Sequence, residues 1–158
     1  ISQDTYFFEG SLRSNIDPMT IVDDSRMIEL LKEAEFWEKV AEDGGLDWKL
    51  TNNGSNLSFG EKQILCFLRV MINPKKIVVM DEATSNMDLK SEAILEKMKT
   101  KYLHGMTTFT IAHRLNTVYQ SDKILILEKG QVKTFSSLND LSDEDMSFFQ
   151  KYAENLIS

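Results

Sequence analysis

The stretch Ile77-Val78-Val79-Met80-Asp81-Glu82 decides how the rest of the chain is read. A continuous apolar, mostly β-branched run of this length reads as a strand buried on both faces, the pattern of a parallel sheet covered by helices. Upstream, Ile64, Phe67, Leu68, Met71 and Ile72 fall at helical spacing, and Pro74 stops that helix. Downstream, Lys90–Tyr102 carries Ile94, Leu95 and Met98 and reads as a second helix, followed by a second strand over Thr107–Ala112. Strands alternating with helices predict an α/β domain with a partly parallel sheet. In such sheets ligands sit at the carboxyl ends of the strands, which directs attention to Asp81-Glu82 and to His113.

Further out the signals are more local. Residues 1–18 mix aromatics with Gly10, Asn15 and Pro18 and read as a loop with short helical turns. Residues 25–43 read as a helix with Ser25 as N-cap and Ile28, Leu31 and Val40 facing inward, stopped by Gly44-Gly45. Residues 46–57 are loop-like, with a turn at Asn52-Asn53-Gly54. Ile124–Leu127 and Gln131–Phe135 flank Lys129-Gly130 as a hairpin, and Asp143–Leu156 reads as a closing helix.

The bulk properties bound the function. The chain has 158 residues, enough for one domain or a large piece of one. Its net charge of -7 argues against a nucleic-acid coat and predicts no nucleic-acid partner, because phosphate-backbone binding needs clustered Lys and Arg. Cys66 is the single cysteine, so no internal disulfide forms and a reducing, cytosolic setting is expected. Apolar runs such as Ile77–Met80 and Ile124–Leu127 fall far short of the ~20 residues of a membrane span. Work at a membrane therefore requires other segments. A chain that begins at Ile1 and is patterned at once reads as a fragment whose N-terminal part is missing.

Several residues could carry chemistry. Asp81 can hold a metal ion and Glu82 can position a nucleophilic water; otherwise the two carboxylates cap the next helix or face solvent. Ser58-Phe59-Gly60-Glu61 opens the striped helix. Its N-terminal amides suit an anion, and Gly60 would allow close approach; Ser58 with Glu61 is equally a capping box that needs no ligand. His113, beside Arg114, could reach a phosphate oxygen or serve structure alone, and Gln3 is unremarkable by itself.

The ordered set is more specific than its members. Ile1-Ser2-Gln3-Asp4, Leu57–Gln63, Ile77–Glu82, Ser85-Asn86-Met87-Asp88 and Ile111-Ala112-His113-Arg114 resemble, in order, the Q-loop, the LSGGQ signature, Walker B with its glutamate, the D-loop and the H-loop of ATP-binding cassette (ABC) ATPases. Phe8–Pro18, Asn56–Cys66 and Ile111–Thr117 also resemble the second nucleotide-binding domain of C-subfamily, multidrug-resistance-associated type exporters. The resemblance implies a P-loop NTPase (ABC ATPase) fold with an α-helical signature subdomain. It divides the chain into the Q-loop and helical part, about residues 1–75, and the C-terminal part of the catalytic core, about residues 76–158.

It also implies ATP and Mg²⁺ as ligands, ATP hydrolysis powering export, and a place at the cytosolic face of a membrane. The partners implied are transmembrane domains and a second nucleotide-binding domain in a head-to-tail pair. Carried over, Gln3 senses γ-phosphate and Mg²⁺, Asp81 supports Mg²⁺, Glu82 is the general base, and His113 holds the γ-phosphate and the water. Asp88 lies at the dimer interface, and Ser58, Gly60 and Glu61 face the ATP held by the partner. Phe59 and Glu61 stand where Gly and Gln are usual, and Asn53 where exporters usually carry Glu. Glu61 brings a negative charge to a phosphate site unless it folds back onto Ser58.

Tyr6, Phe7 and Phe8 are either a contact for the membrane domain or a small local core. No GxxxxGK[ST] loop occurs in the 158 residues, so the chain by itself is expected to bind ATP poorly. The alternatives are a soluble ABC-type ATPase of DNA maintenance or translation and a non-catalytic nucleotide-sensing domain.

Overall fold

A computed structural model describes residues 1–81, 87–112 and 118–148. The chain forms two compact units, Ile1–Thr110 and Ile111–Ser158.

In the first unit, β1 (Gly10–Ser11) runs into α1 (Leu12–Ile16), which Ser11 caps by accepting the Ser14 N–H. β1 pairs antiparallel with β2 (Lys49–Leu50), Gly10 opposite Leu50. The turns around them close on two buried polar side chains. Asn15 accepts from the Phe8 N–H at 2.9 Å and donates to the Phe8 and Ser11 carbonyls at 3.0 Å. Asp17 accepts from the N–H groups of Ile21 and Val22, both at 3.0 Å. Each side chain is paired with backbone, as burial demands.

α2 (Asp24–Glu33) is capped by Asp23, whose carboxylate accepts the Arg26 N–H at 2.8 Å, so the cap lies two residues before the expected Ser25. The single helix expected over 25–43 is broken. Glu35 takes φ 52°, a left-handed conformation that ends a right-handed helix. The Phe36 N–H bonds to the Leu31 carbonyl and the Glu35 N–H to that of Lys32, a Schellman closure. The chain then resumes as α3 (Trp37–Val40). Leu31 and Val40 are buried as expected, but Met27 and Leu30 line the inward face of α2 and Ile28 is half-buried.

α4 (Phe59–Ile72) starts and stops as the sequence predicts. Its Leu65, Phe67 and Leu68 sit in a core shared with Leu12 of α1, Leu31 of α2 and Met98 of α5 (Leu89–Tyr102), and α4 and α5 pack on each other. α5 is also latched to α2. Glu33 accepts from Lys101 Nζ at 2.8 Å and from the Tyr102 hydroxyl at 2.6 Å. Burial, the largest single effect, pushes its carboxyl up, but these bonds and the nearby cations together outweigh it and hold the carboxyl below its usual range.

β3 (Ile77–Asp81) and β4 (Thr107–Ile111) form a parallel pair. Burial on both faces of β3 is not met. Val78 and Met80 are buried, whereas Ile77 and Val79 are 60% and 54% exposed. A two-stranded sheet with cover on one side shields alternate residues only, because successive side chains point to opposite faces.

In the second unit, β5 (Ile124–Glu128) and β6 (Gln131–Ser136) form the expected hairpin, with a bulge between Ile126 and Leu127. Lys129 and Gly130 turn it at φ 51° and 78°, the pair of left-handed conformations a two-residue hairpin loop requires. Ile124 and Ile126 are buried, while Leu125 opposite Phe135 and Leu127 opposite Val132 make an exposed apolar strip. Residues 143–148 are helical; the remainder of the expected closing helix lies outside the described residues.

Candidate nucleotide site

The expected site residues fall into two groups in the first unit. The first is at the carboxyl end of β3. Asp81 is its last residue and half-buried. Its N–H donates to the Ile1 carbonyl at 2.9 Å, and the Ile1 nitrogen donates to the Val79 carbonyl at 2.7 Å. Residue 1 thus runs alongside the strand end, and Gln3 follows two residues later, exposed. A second tie comes from α4: the buried Gln63 donates from Nε2 to the Gln3 carbonyl at 3.1 Å.

The second group surrounds the first turn of α4. Ser58 accepts the Glu61 N–H at 3.2 Å, and Glu61 Oε2 accepts the Ser58 N–H at 2.8 Å, a complete capping box. Such a cap stabilises a helix by about 1 kcal/mol without any ligand. Gly60 is buried against the start of α5, where Asp88 is the N-cap. Asp88 accepts from the Ser91 N–H at 2.9 Å and from the Ser91 hydroxyl at 2.7 Å, and these bonds, the backbone one first, hold its carboxyl below the usual range. The N-termini of two 14-residue helices therefore meet at Gly60, Asp88 and Ser91, two positive dipole ends each met by a carboxylate, Glu61 on α4 and Asp88 on α5. Glu82 and His113, together with Ser85, Asn86 and Arg114, lie outside the described residues.

Three residues that the sequence did not single out shape this region. Lys39 binds both Glu61 oxygens, at 2.7 and 2.8 Å. Gln63 anchors the Gln3 segment. Arg69 donates from Nε to the Asn15 carbonyl at 2.9 Å and from Nη2 to the Tyr6 carbonyl at 3.0 Å, with its guanidinium 4.6 Å from the centre of the Phe7 ring. Gln63 and Arg69 stand on the half of α4 that meets the Gln3 loop, a signal readable from helical spacing once that loop's position is known. The aromatic cluster divides. Phe7 is 1% exposed in the core, while Tyr6 and Phe8, at 66% and 69%, meet edge to face at 5.7 Å. Cys66 is shielded enough that burial pushes its thiol above the usual range.

Among the described residues no cluster of three His, Cys, Asp or Glu side chains converges on a metal position. The two residues to which the sequence assigns a metal, Asp81 and Gln3, would offer a carboxylate and an amide oxygen. Such a set suits Mg²⁺, which is commonly held by one or two carboxylates, waters and the phosphates of its substrate.

Comparison with known proteins gives the family of the chain. The family model described as ABC transporter matches residues 1–85, more than half of the 158. The chain is 36% identical over 155 residues to ATP-binding cassette sub-family C member 10 of Mus musculus, covering 98% of this chain and 10% of that protein. It is 39% identical over 151 residues to Metal resistance protein YCF1 of Saccharomyces cerevisiae, covering 94% and 10%. With ATP-binding cassette sub-family C member 4 of Homo sapiens it shares 34% over 158 residues, covering 99% and 12%. The chain belongs to the ABC transporter family and so to the P-loop NTPase fold, and the mouse and human relatives are named as members of sub-family C. It spans about a tenth of the length of the curated relatives it matches.

Proposed function

We propose that the chain is the signature-bearing, water-activating portion of a nucleotide-binding domain that hydrolyses ATP to drive export through transmembrane domains elsewhere in a longer polypeptide. The observation that carries this reading is the double tie on the Gln3 segment: Ile1 to the end of β3 and Gln63 of α4 to the Gln3 carbonyl. It sets the three elements that bear Gln3, the signature and Asp81 around one place. The open apolar faces, Ile77 and Val79 in one unit and Leu125, Leu127, Val132 and Phe135 in the other, support a domain whose remaining core is supplied by other parts of that polypeptide. Among the described residues no helix is long and apolar enough to cross a membrane.

On this reading Asp81 and Gln3 hold Mg²⁺, which would neutralise charge on the β- and γ-phosphates. Glu82 accepts the proton of the attacking water, a role worth roughly 10²–10⁴-fold in rate. His113 orients that water and the γ-phosphate. Ser58 and Gly60 present the N-terminus of α4 to ATP held by a second nucleotide-binding domain, and Asp88 fixes the neighbouring α5 terminus at the same interface. Tyr6 and Phe8, aromatic and exposed beside the Gln3 segment, offer a surface for a helix of the membrane domain.

The test is Glu82→Gln in the full-length transporter. ATP turnover is expected to vanish while ATP binding persists; unchanged turnover sinks the reading. The isolated 158-residue chain, with no phosphate loop of its own, is expected to show no Mg-ATPase activity.

A further inference from the structure

We infer that Lys39 is a positioning residue for the signature, holding Glu61 so that the N-terminus of α4 accepts a phosphate despite the acidic side chain in its first turn. The inference rests on the function proposed above, in which that terminus meets ATP.

A free carboxylate in a helix's first turn takes the same positive end of the dipole that a phosphate would use, and repels it. Glu61 is not free. Lys39 Nζ reaches Oε1 at 2.7 Å and Oε2 at 2.8 Å, and the Ser58 N–H holds Oε2 at 2.8 Å. The carboxylate is thus turned back across the helix start, and its charge is matched by an ammonium from a different helix.

Lys39 has supports that do not depend on Glu61. Its Nζ lies 5.5 Å from the centre of the Phe36 ring and 5.6 Å from that of Trp48. The two rings meet edge to face at 6.1 Å, and the Trp48 indole N–H donates to Asp43 at 3.1 Å. Two aromatic rings make a cation-selective shelf. The ammonium therefore has contacts of its own besides Glu61, and α3 is fastened to the first turn of α4.

The charge logic sets the test. Lys39→Met leaves an uncompensated carboxylate beside the phosphate position, and with surface screening the KM for ATP is expected to rise about tenfold with kcat little changed. Glu61→Gln removes the charge that Lys39 answers and is expected to lower KM. In the Glu61→Gln background, adding Lys39→Met is expected to shift KM by less than about twofold, and Lys39→Arg in the native background is expected to restore most of the affinity. ATPase assays on the reconstituted full-length transporter read all four variants, with Glu82→Gln as reference. An equal loss from Lys39→Met in both backgrounds gives Lys39 a merely structural role and overturns the inference, as does no loss in either. Turnover that Glu82→Gln abolishes, yet that ignores Lys39, sinks this inference alone. Turnover that survives Glu82→Gln sinks the proposed function with it.

Discussion

A β-carbon placed on Gly60 would lie 2.5 Å from both Cβ and Oγ of Ser91, and 3.1 Å from Asp88 Oδ2. No real contact is that short, so Gly60 is required by the neighbouring helix start, beside the demand of any phosphate proposed there. The two demands are separable, because one is present without nucleotide.

Gly60→Ala is therefore expected to destabilise the chain by about 1–3 kcal/mol in the absence of ATP, through overpacking. This runs against intrinsic helix preference, which favours Ala over Gly by about 1 kcal/mol. Ser91→Gly opens the space at the cost of the hydroxyl bond to Asp88, while the backbone N–H bond of residue 91 is kept. In the Ser91→Gly background the alanine should become neutral or stabilising, giving a coupling that urea unfolding of the four species of the cycle can resolve. A Gly60→Ala variant as stable as the parent would mean that Gly60 answers to the ligand alone.

Arg69 carries a second structural demand. It bonds two loop carbonyls and stacks on Phe7, a planar fork that a lysine cannot reproduce. Arg69→Lys should cost about 2 kcal/mol and expose the segment from Tyr6 to Asp17 to proteolysis before the helices yield. Cleavage of the variant at the parent's rate would show that Asn15 and the Phe7 burial suffice to hold that loop.

The legibility of the sequence tracks how local each determinant is. α4 is readable because its stripe, its Ser58–Glu61 box and Pro74 all lie within the element itself. The break between α2 and α3 is not, because its left-handed residue is Glu35, where glycine would have announced a stop. The β1–β2 pair is two residues long on each side and has no pattern of its own; the Leu12 N–H bond to the Trp48 carbonyl continues the pairing across 36 positions (48 − 12). At the site, the sequence offers both readings of Ser58 and Glu61, and the cap is present. Lys39 is hidden for a different reason: 22 positions away, it looks like an ordinary solvated charge until α3 is folded beside α4. The apolar run at Ile77–Met80 correctly marks a strand, but run composition cannot say whether the layers covering it belong to the same 158 residues.

The second unit offers a test by pH. Asp145 is buried and accepts from the Thr134 hydroxyl at 2.7 Å and the Ser142 hydroxyl at 2.8 Å, joining β6 to the helical residues 143–148. Those two bonds, Thr134 first, hold its carboxyl below the ordinary value of 3.8, with Lys133 assisting from 3.7 Å. A carboxyl depressed in the folded state releases its proton more readily there than in the unfolded chain. Its stabilising contribution is therefore complete above the unfolded value and is lost as pH falls from roughly 4 through the lower folded value. Asp145→Asn should remove that part of the acid dependence and lower stability near neutrality, where the charge-assisted bonds are lost. Thr134→Val should weaken the effect in the same direction, since it deletes the strongest donor. Hairpin amide exchange followed from about pH 5 down to about pH 2 would read both. An acid limb of equal steepness in the parent and in Asp145→Asn would assign the acid sensitivity of this unit to other carboxylates.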